Sequence, residues 1–239
     1  ALRDESYLKK NYPKINWDRH SNRFTDIKYF NKSIDYLNKK KIKVILIGSG
    51  ANSVLNIKNE NLINYENSKF KSDFMDIYLF SVKECKFVIS SVTGIDAVGT
   101  LFKKPVLEIG IWPFACARVY SHTYNYIFKK YFSKSLNRFL TMKEIFELNL
   151  ADYSDNMDDN NSELEIIHPN ESEILNSTIE FFEKIENIYV SNSQGKELQI
   201  EFEKKFKNYI DRYCPRFKIK KQFEKITERY ILMNKYLLN

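Results

Sequence analysis

Histidine and cysteine are scarce in this sequence, with three of each in 239 residues. Cys85, Cys116 and Cys214 stand far apart, without a CxxC pair or a histidine at metal-ligand spacing, and His20, His122 and His168 form no HExxH-like pair. A bound zinc is therefore not expected, and three isolated thiols point to a reduced compartment. No apolar run approaches the roughly 20 residues that span a bilayer. No signal-peptide pattern opens the chain. The expectation is a soluble cytoplasmic protein without a transmembrane segment, at most peripheral at an inner membrane. A repeat period is also missing.

What is present is material for a core: 43% hydrophobic and 15% aromatic residues exclude a wholly disordered chain. The net charge of +7 admits nucleic acid, an anionic surface or phosphate-bearing ligands as partners. The lysines, however, come in dispersed runs such as Lys39-Lys40-Lys41, which fits a solvated coat better than a dedicated patch, so no nucleic-acid partner is expected. Arginine is rarer, 8 of the 38 basic residues, which makes Arg3 and Arg23 the more informative cations. The first residue is Ala, and Ala1-Leu2-Arg3 reads as the end of a strand whose beginning is absent. A chain that starts in mid-protein is the expectation.

Apolar periodicity predicts a helix over 26–38, from Ile27, Phe30, Ile34 and Leu37. Residues 42–47 read as a buried strand that stops at Gly48-Ser49-Gly50. Ser72 is placed to cap a helix carrying Met75, Leu79 and Val82. Buried strands follow at 87–89 and at 105–109, the latter ended by Gly110, with a turn over 90–94 and a helix over 95–102 between them. Strands alternating with helices imply a parallel sheet with right-handed crossovers. Thr141 and Glu144 have capping-box spacing. An acidic, Asn-rich stretch over 152–162 reads as an exposed loop. Two amphipathic helices then carry Ile174, Thr178, Phe182 and Ile185, and Leu198, Phe202, Phe206 and Tyr209. Pro215 interrupts before a last helical stretch near Phe223, Ile226 and Tyr230. The expected fold class is α/β, a Rossmann-like parallel sheet over 1–150 with flanking helices. Residues 151–239 supply the acidic loop and C-terminal helices, packed on that domain or on another.

Ligands of open parallel sheets bind at the carboxyl ends of the strands. Three segments have that placement: 2–7, 48–53 and 90–96. Gly48-Ser49-Gly50-Ala51-Asn52-Ser53 is a poor dinucleotide fingerprint, with Ser53 at the third glycine position, and an ordinary strand-ending turn is the better reading. Ser90, Ser91, Thr93 and Gly94 offer hydroxyls and backbone N–H groups to a phosphate, or form a plain N-cap. Asp76 could accept from a nucleobase or ribose, although the start of a helix also favours a carboxylate for its dipole. Arg3-Asp4-Glu5 leaves a strand directly into a loop, suiting a guanidinium that meets a diphosphate bidentately. No Ser/His/Asp or Cys/His nucleophilic set can be assembled.

Several stretches resemble bacterial glycosyltransferases of surface-carbohydrate loci: LRDESYL at 2–8, HSNRFTDI at 20–27, KSDFMDIYL at 71–79, CKFVISSVTGIDAVGTLFKKPVL at 85–107, FLTMKEIFEL at 139–148 and ITERYILMNKYLL at 226–238. A looser similarity reaches fucosyltransferase donor domains. The resemblance implies the C-terminal domain of a GT-B-like enzyme, with a nucleotide-sugar as substrate, no cofactor, and a glycan acceptor held largely by a missing N-terminal domain. It gives Arg3 to the donor diphosphate and Asp76 to the base or ribose. Ser90, Ser91 and Thr93 would line the phosphate and sugar pocket, with Arg23 in the same cleft. Asp4 or Glu5 would be the base for the acceptor hydroxyl. Two positions depart from the pattern: Ala1 stands where the family usually has His, and Leu46 where it has Arg. Either change would weaken donor binding or alter donor preference, and a non-catalytic nucleotide-sugar or carbohydrate-binding module is the alternative. The fragment alone is not expected to transfer a sugar.

Overall fold

The computed structural model describes residues 2, 13–14, 22, 25–48, 62–117, 124–152, 163–217 and 225–239. The first predicted helix is divided: a 3-10 turn over Ile27–Phe30 leads into helix α1, Asn31–Lys39. Asp26 sets its start, because its carboxylate accepts the Lys28 amide at 2.9 Å. Strand β1 covers Val44–Leu46, shorter than the apolar run, and pairs in parallel with β2, Leu62–Asn64. Helix α2, Asp73–Ser81, opens at Ser72, whose hydroxyl accepts the Met75 amide at 3.2 Å. Val82 lies just beyond its end with an extended backbone.

Strand β3 (Val88–Ser90), helix α3 (Asp96–Leu101) and strand β4 (Val106–Ile111) repeat the strand–helix–strand alternation. Gly110 does not end β4, contrary to the sequence reading. It takes φ +74° and the pairing register slips between Ile109 and Ile111, so the strand bulges there and continues. A left-handed glycine can bend a strand as readily as stop it.

Strand β5 (Tyr124–Phe128) extends the sheet, whose order is β3-β4-β5-β9 with every pair parallel; β9 is Lys225–Ile226. Ile226, read as helical from sequence, therefore lies in a strand, and helix α7 begins only at Glu228 and runs to Met233. Phe223 falls outside the described residues. Three strands not foreseen, β6 (Lys130–Ser133), β7 (Arg138–Phe139) and β8 (Leu164–Ile167), form a separate antiparallel sheet of order β7-β6-β8. The predicted capping box is real: Thr141 Oγ1 accepts the Glu144 amide at 3.2 Å and Glu144 accepts the Thr141 amide at 2.8 Å, opening helix α4, Met142–Glu147. Of the acidic stretch, 153–162 lies outside the described residues.

Helices α5 (Glu171–Ile185) and α6 (Ser193–Tyr213) follow the predicted apolar spacing. They pack on the sheet, and one core cluster runs from Leu2 and Ile34 through β4 and β5 to Ile174, Phe202, Ile226 and Leu238. Buried carboxylates tie these helices down. Glu203 of α6 accepts from Tyr126 Oη at 3.1 Å and from the Ile226 amide at 2.7 Å. Glu173 of α5 accepts from Lys130 Nζ at 2.8 Å and Asn234 Nδ2 at 2.9 Å. The result is the expected α/β class, a parallel sheet flanked by helices with a helical C-terminal segment.

Candidate functional site at the carboxyl edge of the sheet

Topology selects one place in an open parallel sheet. The chain passes from β1 outward to β2, then returns to β3 and proceeds outward the other way through β4 and β5. The order reverses between β1 and β3, which do not pair but approach one another through Ile47, just after β1, and Val88 in β3, both in one cluster with Phe80 of α2. Crevices at the carboxyl ends of strands flanking such a reversal are where α/β proteins bind ligands.

Gly48 stands at the end of β1 with φ +138°, and a Cβ there would lie 1.5 Å from the Leu2 carbonyl oxygen. Only glycine permits this approach. The Leu2 N–H in turn donates to the Ile47 carbonyl at 2.9 Å, which seats Leu2 beside the end of β1.

At the end of β3 the turn is built from its own hydroxyls. Ser90 Oγ donates to the Asp96 carboxylate at 2.9 Å and accepts the Thr93 amide at 3.3 Å. Val92 takes φ +59°, a conformation costly for a β-branched residue, so the turn is fixed by its contacts and not by local preference. Ser90, Ser91 and Thr93 are all buried, and Ser90 is committed to the turn. Ser91 differs, because its buried Oγ has no hydrogen-bond partner among the described residues. Gly94 is exposed, and a Cβ at that position would meet no atom within 4 Å. The turn therefore presents an open backbone beside one unsatisfied hydroxyl.

Asp76 lies in the first turn of α2, which follows the carboxyl end of β2, so it belongs to the same edge. Both of its carboxylate oxygens accept from Lys71 Nζ at 2.9 Å, and Lys71 also pairs with Glu66 at 3.1 Å. Burial works to lower the Lys71 pKa, but the two carboxylates outweigh it and the net shift is upward. The Tyr65 hydroxyl bridges to the Ser72 backbone nearby, at 3.2 Å. Any ligand group reaching Asp76 would share it with an ammonium. Arg3, Asp4, Glu5 and Arg23 lie outside the described residues.

A second polar cluster on this edge was not anticipated. Lys129 directly follows β5, is fully buried, and donates from Nζ to the Asn22 carbonyl. Gly110 makes room for it, since a Cβ there would stand 3.3 Å from Lys129 Cε. Thr25, whose buried Oγ1 lacks a hydrogen-bond partner among the described residues, lies 3.5 Å from that same Cβ position. His168 stacks on Tyr29 with centroids 5.9 Å apart, and burial, reinforced by the Lys129 charge, pushes its pKa down to about 4. The imidazole is neutral near pH 7. The one signal in the sequence was a lysine pair inside the aromatic run 124–132, which is unusual for a strand end. Among the described residues, no three His, Cys, Asp or Glu side chains converge to hold a metal ion, and no helix is long and apolar enough to cross a membrane. Cys85 and Cys214 are free thiols.

No family model, curated protein or solved structure matches this chain.

Proposed function

We propose that the edge between β1 and β3 is the donor site of a glycosyltransferase that moves a sugar from a nucleotide-sugar to a surface-carbohydrate acceptor. The reading rests on the reversal of strand order, with Gly48 at the end of one flanking strand and the turn of Ser90, Ser91, Thr93 and Gly94 at the end of the other. Resemblance to glycosyltransferases of surface-carbohydrate loci supplies the sugar. In this reading the Gly94 backbone and the Ser91 hydroxyl receive donor phosphate oxygens. Arg3, next in sequence to Leu2, neutralises the diphosphate as it leaves, which is where such a transition state gathers negative charge. Asp76 meets the base or ribose together with Lys71, and Arg23 completes the cleft. Asp4 or Glu5 takes the proton of the acceptor hydroxyl. The setting is the cytoplasm, peripheral at the inner membrane where the acceptor is assembled.

Thermal unfolding in the presence of UDP-, GDP-, CMP- and dTDP-sugars tests the site. A ligand at 100 times its Kd stabilises by about 2.7 kcal/mol, so at least one donor should raise Tm by several degrees. Gly94→Val has space for its side chain and should fold, yet it blocks the backbone and should abolish the shift. Silence across the panel, or an undiminished shift in Gly94→Val, overturns the reading. In the intact enzyme Arg3→Ala should cost at least about 100-fold in turnover, the scale of a lost charge-stabilising donor; donor binding without transfer would leave a binding module.

A further inference from the structure

Among the described residues the parallel strands lie in two sheets, not one, and the division falls between β1 and β3. Each is the end strand of its sheet, and a cleft of about 480 Å³ lies between them. Its walls are apolar: Phe30 comes from the 3-10 turn before α1, Ile34 from α1, Ile45 from β1, Phe80 from α2, and Val88 and Ile89 from β3. The charged groups on its lining, Lys41, Lys43, Glu84 and Lys86, are exposed and precede the strands. Protein interiors pack to the density of organic crystals, with few voids larger than a water. An ordered water needs two to four polar partners, and the apolar walls offer few.

The cleft has the form of a strand position. Leu46 clusters with Phe30 and Ile34, whereas the adjacent Ile47 clusters with Phe80. Successive strand residues face opposite sides, so α1 and α2 cover opposite faces, as helices do for a central parallel strand. Leu2 lines the cleft, is 7% exposed, and its N–H donates to the Ile47 carbonyl, a hydrogen bond a neighbouring strand would make at that point.

We propose that the cleft seats one further parallel β-strand whose last residue is Leu2, formed by the residues directly preceding Ala1 in the parent polypeptide. It joins the two sheets into one, in the order β2, β1, new strand, β3, β4, β5, β9. Its sequence is an uninterrupted apolar run without proline, since both faces and both edges are covered. The inference stands on the cleft and the strand edges, and is independent of what the carboxyl edge binds.

Amide hydrogen exchange on this chain and on the same chain carrying its native upstream residues tests the proposal. Residues 44–46 and 88–90 should exchange about tenfold or more slowly in the longer chain, while α6 is little changed. Ile45→Lys serves as a second probe. It should be tolerated in the present chain, where Ile45 is 39% exposed, and should lower Tm in the longer one. Equal exchange of β1 and β3 in the two chains overturns the proposal. So would protection of both strands in the shorter chain through dimerisation, which makes a second copy the occupant.

Discussion

Strands β1 and β4 are built from the same kind of residue and end in different states. Val106, Leu107, Ile109 and Ile111 of β4 have no exposed surface, whereas Ile45 of β1 is 39% exposed and its pairing partner Ile63 of β2 is 45% exposed. The sequence pattern cannot separate them, because an apolar β-branched run signals a strand suited to burial on both faces and says nothing of who the neighbours are. β4 lies between β3 and β5 with helices against it; β1 has a described strand on one side and a cleft on the other. Burial here is a property of the assembled neighbourhood. The contrast also distinguishes the part of the molecule that is complete from the part we infer to lack a strand.

The sharpest way to break the complete half is through its buried charge. Lys130 and Glu173 pair at 2.8 Å with side chains 9% and 3% exposed, and Asn234 and the Asn170 amide share the same carboxylate. Glu173→Ala strands an ammonium in the interior and should cost about 3–5 kcal/mol, read from urea midpoints. A loss under 1 kcal/mol would show that Lys130 escapes to water.

Within the strands themselves, Ile109→Ala should cost about 2–5 kcal/mol, for lost burial and a cavity that cannot collapse. Ile45→Ala in the present chain should cost under about 1 kcal/mol. Equal losses at the two positions would dissolve the comparison between β4 and β1.

A pH titration separates the two halves in another way. The His168 pKa lies at about 4 in the folded protein, against 6.5 for the ordinary imidazole. Between those values the unfolded chain binds the proton and the folded chain does not. Stability is thus fully retained above pH 6.5, falls as pH drops from about 6.5 to about 4, and is flat in this respect below. His168→Gln should flatten that limb of the urea-midpoint profile; an unchanged slope would assign it to other groups. Glu144, held down to about 2 by the Arg138 guanidinium, burial opposing, acts only at lower pH.

The elements legible in the sequence were those with a local cause. Ser72, Thr141 and Glu144 announced helix starts, the spacing of Phe202, Phe206 and Tyr209 announced α6, and the runs around Val44, Val88 and Val106 announced parallel strands. What escaped depends on partners distant in sequence. Strand β7 is only two residues long, β8 joins β6 across a long connection, and Ile226 is a strand residue only because β5 lies beside it. The site divides likewise. The Ser90–Gly94 turn was readable from its residue types, but Lys71 on Asp76 and the burial of Lys129 beneath Thr25 and Gly110 are facts of tertiary packing.

Thr141 supplies a control on the whole comparison. Thr141→Ala removes one hydrogen bond of the capping box, the one from the Glu144 amide to Thr141 Oγ1, and leaves the reciprocal bond from the residue-141 amide to Glu144. Arg138 keeps its two contacts with the Glu144 carboxylate, at 2.6 and 2.9 Å, so the acid stays in place. The loss should be about 1 kcal/mol or a little less. Helix α4 packs against α6 and the C-terminal turn, not against the cleft, so the effect should be the same with and without the upstream residues. A cost at Thr141 that changed with chain length would mean that the upstream strand stabilises the molecule globally, and the exchange contrast between β1 and α6 would then have to be read as one cooperative unit.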